Sequence, residues 1–358
     1  MEQATRILAI DVGAGTQDVL LYESDKSIEN CVKLVVPSQT VVVARRIARA
    51  TAEGRAVFLT GNLMGGGACG SAVKRHVRAG LKVYATALAG KTLHDNLEYV
   101  QAMGVEIVEQ APPGAVAVQM RDIDLDALRV ALAAFETELP ERLAIAVQDH
   151  GESLWKSNRE FRFEHFRPFV QGGGEFRKMA YKGVPSYLTR MQAVQHDCPG
   201  AVLMDTGPAA IWGSLYDDRV AERTPEGVIV VNIGNAHTFG ALVQNQRIWG
   251  LFEHHTGDVT TLKLKDYIAR LRENRLPHEE VLGDGGHGCY VHPDFSAGSG
   301  FSLVSVTGPN RAMAEGLGCH FAAPYGDMML TGCFGLVAAA RELDRSPLAA
   351  STPRTSLP

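Results

Sequence analysis

What this chain lacks narrows its functions before any motif is read. Cysteine is sparse: six residues in 358, namely Cys31, Cys69, Cys198, Cys289, Cys319 and Cys333. They form no CxxC pair and no CxxxCxxC triplet, so no contiguous motif is present to hold an iron–sulfur cluster. Scattered thiols in a chain of this size fit a cytoplasmic setting. No apolar run approaches the ~20 residues that would span a bilayer. Met1-Glu2-Gln3-Ala4-Thr5-Arg6 leads into an apolar strand without the basic region or cleavage site of a signal peptide. Neither a membrane partner nor export is expected. A basic excess is missing too: 35 Lys and Arg stand against 40 Asp and Glu, a net charge of −5, which speaks against nucleic acid as a partner.

What is present is globular material, 46% hydrophobic and 21% charged, not a disordered or fibrous chain. At 358 residues the chain is too long for one simple core, and two lobes are expected. Glycine, 37 residues, comes in clusters, as it does where backbone must turn tightly or approach a ligand. Arg6–Asp11 and Val19–Tyr22 read as strands flanking a Gly-containing loop, hence a hairpin. Ser38 is placed to cap a helix running to about Glu53. Strand signals at Val57–Thr60, Leu81–Ala85, Val105–Val108 and Leu143–Val147 alternate with helical patterns near 70–79, 93–103 and 125–138. That alternation predicts an α/β fold with parallel strands.

Residues 151–200 break the rhythm with aromatics, charges and Gly172-Gly173-Gly174, and read as an inserted cap over a cleft. The pattern resumes at Ala201–Asp205. A second hairpin follows at 227–249, then a helix near 259–274 and a Gly/His-rich loop at 283–300. A strand at Phe301–Val306 precedes a helix, and an apolar helix spans about 332–343. The expected division is an N-terminal lobe over 1–205 carrying the cap and a C-terminal lobe over 206–345 whose last helix packs back on the cleft. The Pro/Ser/Thr-rich tail from 346 to 358 is expected to fray.

The strongest functional clue is that the two hairpins are alike. Ile10-Asp11-Val12-Gly13-Ala14-Gly15-Thr16-Gln17-Asp18 has its counterpart in Val231-Asn232-Ile233-Gly234-Asn235-Ala236-His237-Thr238. In each, an apolar strand delivers a carboxylate or amide, then a Gly turn, then a hydroxyl. Such turns present backbone N–H groups in a concave array suited to phosphate oxygens, and a carboxylate at the strand end can hold hydrated Mg²⁺. A single Gly hairpin is most simply a plain turn; two facing each other make a phosphate clamp.

At this point the sequence resembles the actin, heat-shock chaperone and sugar-kinase ATPase superfamily. Its order is a phosphate hairpin, a connecting helix, a second hairpin, an adenosine loop and a last connecting helix. Asp11 to Asp18 is similar to the first hairpin, and Gly207-Pro208-Ala209-Ala210-Ile211-Trp212-Gly213-Ser214-Leu215 to the first connecting helix. Val304-Ser305-Val306-Thr307-Gly308-Pro309-Asn310-Arg311 resembles the adenosine loop, and Gly332-Cys333-Phe334-Gly335 opens the last helix. The resemblance implies two ribonuclease H-like lobes around a nucleotide cleft, with ATP and Mg²⁺ as cofactors. It places Asp11 on the metal, Gly13, Gly15, Thr16, Gly234, His237 and Thr238 on the phosphates, and Gly308, Asn310 and Arg311 against adenosine. Asn232 stands where relatives carry Asp, and His237 interrupts their usual Gly/Thr run.

More narrowly, Gly61-Asn62-Leu63-Met64-Gly65-Gly66-Gly67 and Pro324-Tyr325-Gly326-Asp327-Met328-Met329-Leu330 resemble a prokaryotic family labelled as pyruvate formate-lyase activating enzymes. That label implies radical chemistry on an iron–sulfur cluster, for which the chain lacks the cysteine triplet.

A base acting at the γ-phosphate is expected near the first connecting helix, and Asp205 and Asp149 are the candidates. As a bland alternative, Asp205 is a helix cap and Asp149 a loop-end hydrogen-bond acceptor. His150, Lys74 and Arg162 are the candidates for binding a small anionic substrate. Gly65-Gly66-Gly67 before a helix is a second anion-site candidate, or simply close packing. The run Arg159–Arg167 fits a cap whose arginines face an anion, or a solvated face. The histidines show no HxH or HxxxH spacing, so a metal site would have to be assembled in space, as His287 and His292 around Cys289 allow. Two functional classes follow: an ATP-dependent phosphotransferase or ATPase, and an ATP-dependent activator of a client enzyme. A degenerate cleft that has lost ATP is a third, and the oligomeric state is left open.

Overall fold

A computed structural model describes residues 4–154 and 156–345; the expected frayed tail lies outside them. The chain opens with β1 (Arg6–Val12), β2 (Thr16–Glu23), β3 (Val32–Pro37) and helix α1 (Gln39–Ala52). A second segment holds β4 (Val57–Gly61), α2 (Gly67–Arg78), β5 (Val83–Ala85), α3 (Ala87–Gly90), α4 (Leu97–Ala102), β6 (Val105–Ile107) and β7 (Val116–Met120). Then come α5 (Leu125–Ala133), β8 (Leu143–Val147), α6 (Asn158–Gln171), β9 (Ala180–Tyr181), α7 (Thr189–Asp197) and β10 (Val202–Met204). The second half contains α8 (Thr206–Ser214), α9 (Asp218–Arg223), β11 (Val228–Ile233), β12 (His237–Gln244), β13 (Arg247–His255), α10 (Thr261–Arg272) and α11 (His278–Gly283). It closes with β14 (Gly288–Val291), β15 (Leu303–Thr307), β16 (His320–Phe321) and α12 (Thr331–Arg345).

Two six-stranded sheets repeat one design. The first has the order β3-β2-β1-β8-β10-β9, the second β14-β13-β12-β11-β15-β16. In both, an antiparallel hairpin (β1/β2, β11/β12) is continued on its first strand by a parallel neighbour, β8 or β15. Leaving out the edge strand β9, the first sheet has the ribonuclease H-like order 3-2-1-4-5, and β13-β12-β11-β15-β16 repeats it in the second, where β14 is the added edge. The fold is therefore α/β with two such lobes, as the resemblance implied.

Alternation along the central strands explains why they sit where they do. Ile7 and Ala9 of β1, with Val228 and Val230 of β11, enter a core shared by both lobes, filled by Ala209, Ile211 and Trp212 of α8 and Cys333, Phe334 and Leu336 of α12. Leu8, Ile10 and Val12 point the other way, into a core with Ile145, Leu188 and Met191. Ile229, Val231 and Ile233 do the same in the second lobe. Helix α8 is buried on every side, as an all-round apolar helix must be. Its Gly213 and the Gly335 of α12 let the two helices touch backbone to backbone: a Cβ on Gly213 would overlap Thr331 O, and one on Gly335 would overlap Ala209 O.

The strands expected at 57–60, 81–85 and 105–108 do not extend the first sheet. They form a separate four-stranded parallel sheet, β6-β5-β4-β7, with its own core; β7 was not foreseen, being short and following Pro112-Pro113-Gly114. The segment read as a cap is partly helical, in α6 and α7, and also supplies the edge strand β9 to the first sheet; β10 lies in the stretch expected to resume the regular pattern. The Gly/His-rich loop holds β14. The helix expected after β15 is a four-residue 3₁₀ turn, Arg311–Ala314, confined between Gly308 and Gly316, both at positive φ. Among the described residues no helix is long and apolar enough to cross a membrane.

Candidate functional site

The two Gly turns are built identically. Gly13 N–H donates to Thr16 O at 2.8 Å, and Gly234 N–H donates to His237 O at 2.9 Å. Each bond closes a four-residue turn and leaves the tip amides, Ala14 and Gly15 or Asn235 and Ala236, without a backbone acceptor among the described residues. The tips meet across the lobes: a Cβ on Gly15 would lie 2.9 Å from Asn235 Nδ2. Gly13, Ala14, Thr16, Gly234, Asn235 and His237 line a single cavity of about 420 Å³, of the size that takes small molecules. Thr206 and Gly207 of α8, and Thr331 and Gly332 of α12, line it too. Two helix N-termini thus aim their positive dipole ends at the same space.

Asp11 and Asp18 are direct cross-strand partners on β1 and β2. One oxygen of each, Oδ1, is buried without a hydrogen-bond partner among the described residues. Removal from water, then the charges of Asp18 and Asp205, raise the Asp11 carboxyl well above its usual range. Burial pushes Asp18 up to about 7. Two like groups so placed repel unless a proton or a cation lies between them. Their all-oxygen donor set suits a hard divalent ion such as Mg²⁺. Asn232, at the equivalent place in the second hairpin, donates to Thr307 Oγ1 at 3.1 Å.

Asp149, beyond the end of β8, also lines the cavity. Its oxygens accept the amides of Gly151 and Met191, each at 2.8 Å. Burial outweighs these bonds and raises its pKa to about 6. Asp205 is differently engaged. It caps α8 through Gly207 N–H, accepts Asp149 N–H, and meets Arg162 through two bonds of 2.8 and 2.9 Å. Arg162 of α6 is itself buried at 3% exposure and also holds Glu253 of β13. It is therefore not among the cavity-lining residues, contrary to its expected place at a substrate.

Other expected residues are dispersed. Lys74 is exposed on α2 and is not on the cavity wall. Thr238 faces the opposite side of β12, its hydroxyl 3.0 Å from Thr256 Oγ1, because strand alternation gives the position matching Thr16 to His237. Gly308 reaches the cavity at φ +95 against Ile233 O. Asn310 instead braces the second turn, donating to Gly234 O at 2.9 Å, and Arg311 lies off the wall. His150 and His237 are both on it. Two cationic residues of the wall were not among the expected ones, Lys91 and, on α7, Arg190, and Arg190 is the one built into a network. It lines the cavity, holds Asp122 through two 2.8 Å bonds and Gln148 O at 2.7 Å, and packs on Gly65. Its only sequence signal was a place inside the supposed cap.

The fold and this cavity define a two-lobed α/β protein of actin-like architecture, with a candidate site at the junction of the duplicated hairpins. The chain belongs to the family described as "Putative pyruvate format-lyase activating enzyme (DUF1786)", whose model matches residues 64–313. No curated protein matches. Among solved structures, a "putative N-acetylmannosamine kinase" from Listeria monocytogenes is 7% identical, with 95% of this chain and 100% of that one covered and a TM-score of 0.36. A glucokinase of the ROK family from Streptomyces griseus, in complex with glucose and AMPPNP, is 13% identical over 96% and 100%, TM-score 0.35. A PilM–PilN type IV pilus biogenesis complex is 12% identical over 94% and 98%, TM-score 0.37. The architecture rests on the strand order of the two sheets, not on these distant likenesses.

Proposed function

We propose that the chain binds ATP with Mg²⁺ between its paired hairpins and acts as a phosphotransferase or ATPase on a small anionic metabolite. One observation carries this reading: the tips of two identical turns, Gly15 and Asn235, face each other across one cavity. The tip amides and the first turns of α8 and α12 would hold the phosphates. Asp11 and Asp18 would hold the metal, which when bound neutralises charge on the transferred phosphoryl group. Gly308 would lie against the nucleoside.

Asp149 is the better of the two candidate bases. Its pKa of about 6 lies near neutrality, where a general base works best, and its partners are two neutral amides, whereas Asp205 is tied to the Arg162 guanidinium through both oxygens. Asp205 then serves as a pivot for α8. Arg190 and His150, on the wall beside Asp149, are placed to meet the anionic acceptor. Of the expected ligands, Lys74 and Arg162 have no part in this arrangement.

A second reading, an ATP-dependent activator of a client enzyme, is favoured by the word "activating" in the family's description. The six cysteines are all free and none joins a metal-ligand cluster among the described residues, so no radical step is assigned. A melting-temperature panel of nucleotides with and without Mg²⁺ tests the common core, because a tight ligand stabilises the native state by mass action. Mg²⁺-dependent stabilisation by ATP, lost in Asp11→Ala, is expected. A phosphorylated small product separates the enzyme from the activator; indifference to every nucleotide would leave the degenerate cleft.

A further inference from the structure

Three imidazoles from distant parts of the chain converge where the two lobes meet. His150 follows β8 in the first lobe, His237 opens β12 and His287 precedes β14 in the second. One ring nitrogen from each lies within 4.8 Å of the others. The closest pair, His150 Nε2 and His287 Nε2, is 3.0 Å apart, with the rings stacked at 5.0 Å between centroids. His237 stands over both, at 5.6 and 4.9 Å. A tetrahedral ion with bonds of about 2.0–2.1 Å holds its ligand nitrogens about 3.3–3.4 Å apart. Small side-chain rotations therefore suffice to close the set.

Hydrogen bonding inside the protein does not account for the cluster. His150 and His287 can share one proton, but His237 Nε2 and His287 Nδ1 are buried without any partner among the described residues. The charged groups facing the cluster are Arg162, Arg159, Glu253 and Asp205, and Arg162 is itself bound to both carboxylates.

We propose that His150, His237 and His287 form a binding site for a borderline transition-metal ion of the Zn²⁺ type, tying the first lobe to the second. His150 and His237 also line the cavity, so the coordination positions not taken by histidine face it and are open to water or an anionic ligand. Three-histidine sets with an open position are the pattern of reactive rather than purely structural zinc. This site is separate from the oxygen pair Asp11 and Asp18 and does not rest on the nucleotide reading.

The test uses the full chain, stripped with chelator, free of nucleotide, and titrated with Co²⁺ and then Zn²⁺. Expected are one Co²⁺ per chain, the visible d–d bands of a four- or five-coordinate nitrogen-rich site, their loss when Zn²⁺ displaces it, and a higher melting temperature with Zn²⁺. His150→Ala and His237→Ala, both at the cavity wall, should each weaken Co²⁺ binding by on the order of a hundredfold or more, beyond the 10–100-fold typical of outer-shell changes. Circular dichroism checks that these variants are folded, since the fully buried His287→Ala can fail on packing alone. Absence of saturable Co²⁺ binding by the wild-type chain, or bands unaltered in both folded variants, would overturn the site. A nucleotide panel that fails while Co²⁺ binds would leave it standing.

Discussion

Arg162 and Asp205 meet through two parallel hydrogen bonds of 2.8 and 2.9 Å, each side chain only 3% exposed. The same guanidinium reaches Glu253 of the other lobe. One buried cation thus joins the end of β10, the start of α8 and the strand β13, and sets the floor beneath the cavity.

Replacing that cation leaves two buried carboxylates unpaired. Arg162→Met is expected to lower unfolding free energy by about 3–5 kcal/mol, read as a lower urea midpoint. Arg177→Met, which removes an exposed pair with Glu175, should cost less than about 1 kcal/mol. Equal effects from the two would show that the buried triad has no special weight.

The helix crossing makes a second prediction. Gly213→Ala places a methyl group into Thr331 O, forcing α8 and α12 apart. A loss of about 1–3 kcal/mol is expected from such overpacking, seen as a lower melting temperature. Gly183→Ala, whose added Cβ meets nothing within 4 Å, serves as the neutral control.

Asp149→Asn keeps the side-chain shape and removes the proton acceptor. If Asp149 is the base, ATP turnover should fall by about 10²–10⁴ while ATP still raises the melting temperature. Unchanged turnover would move the base elsewhere on the wall.

His76 of α2 provides a pH signature for the third sheet. The ring is buried, with Nδ1 2.7 Å from Thr51 Oγ1 and Nε2 without a partner, and burial lowers its pKa from 6.5. Between that lowered value and 6.5 the unfolded chain binds the proton and the folded chain does not. Stability from this residue is therefore complete above about pH 6.5 and lost as pH falls below it. Urea midpoints measured from pH 7.5 to 5 should fall more steeply for the wild type than for His76→Gln.

Much of this was legible in the residues. Alternating apolar positions in Ile7–Val12 and Val228–Ile233, each ending in a Gly turn, are local signals, and the paired hairpins follow from them. The small residues of Gly207–Ser214 and Gly332–Ala340 likewise announced helices meant for close contact. The match of Thr16 with His237, rather than with Thr238, was readable only once turn length and register were counted together.

Other facts depended on the chain closing on itself. Arg162 lies in a run rich in charges, and nothing local distinguishes a guanidinium facing solvent from one enclosed by Asp205 and Glu253. His150, His237 and His287 have no ligand spacing, since they come from three strand ends in two lobes. Sequence order carries periodicity of two or three and a half residues, and so determined the strands, the turns and the doubled lobe. Which side chains then meet is decided by sheet register and lobe packing, contacts between residues 43 to 137 positions apart in Arg162–Asp205 and His150–His287, and those only the tertiary structure could set.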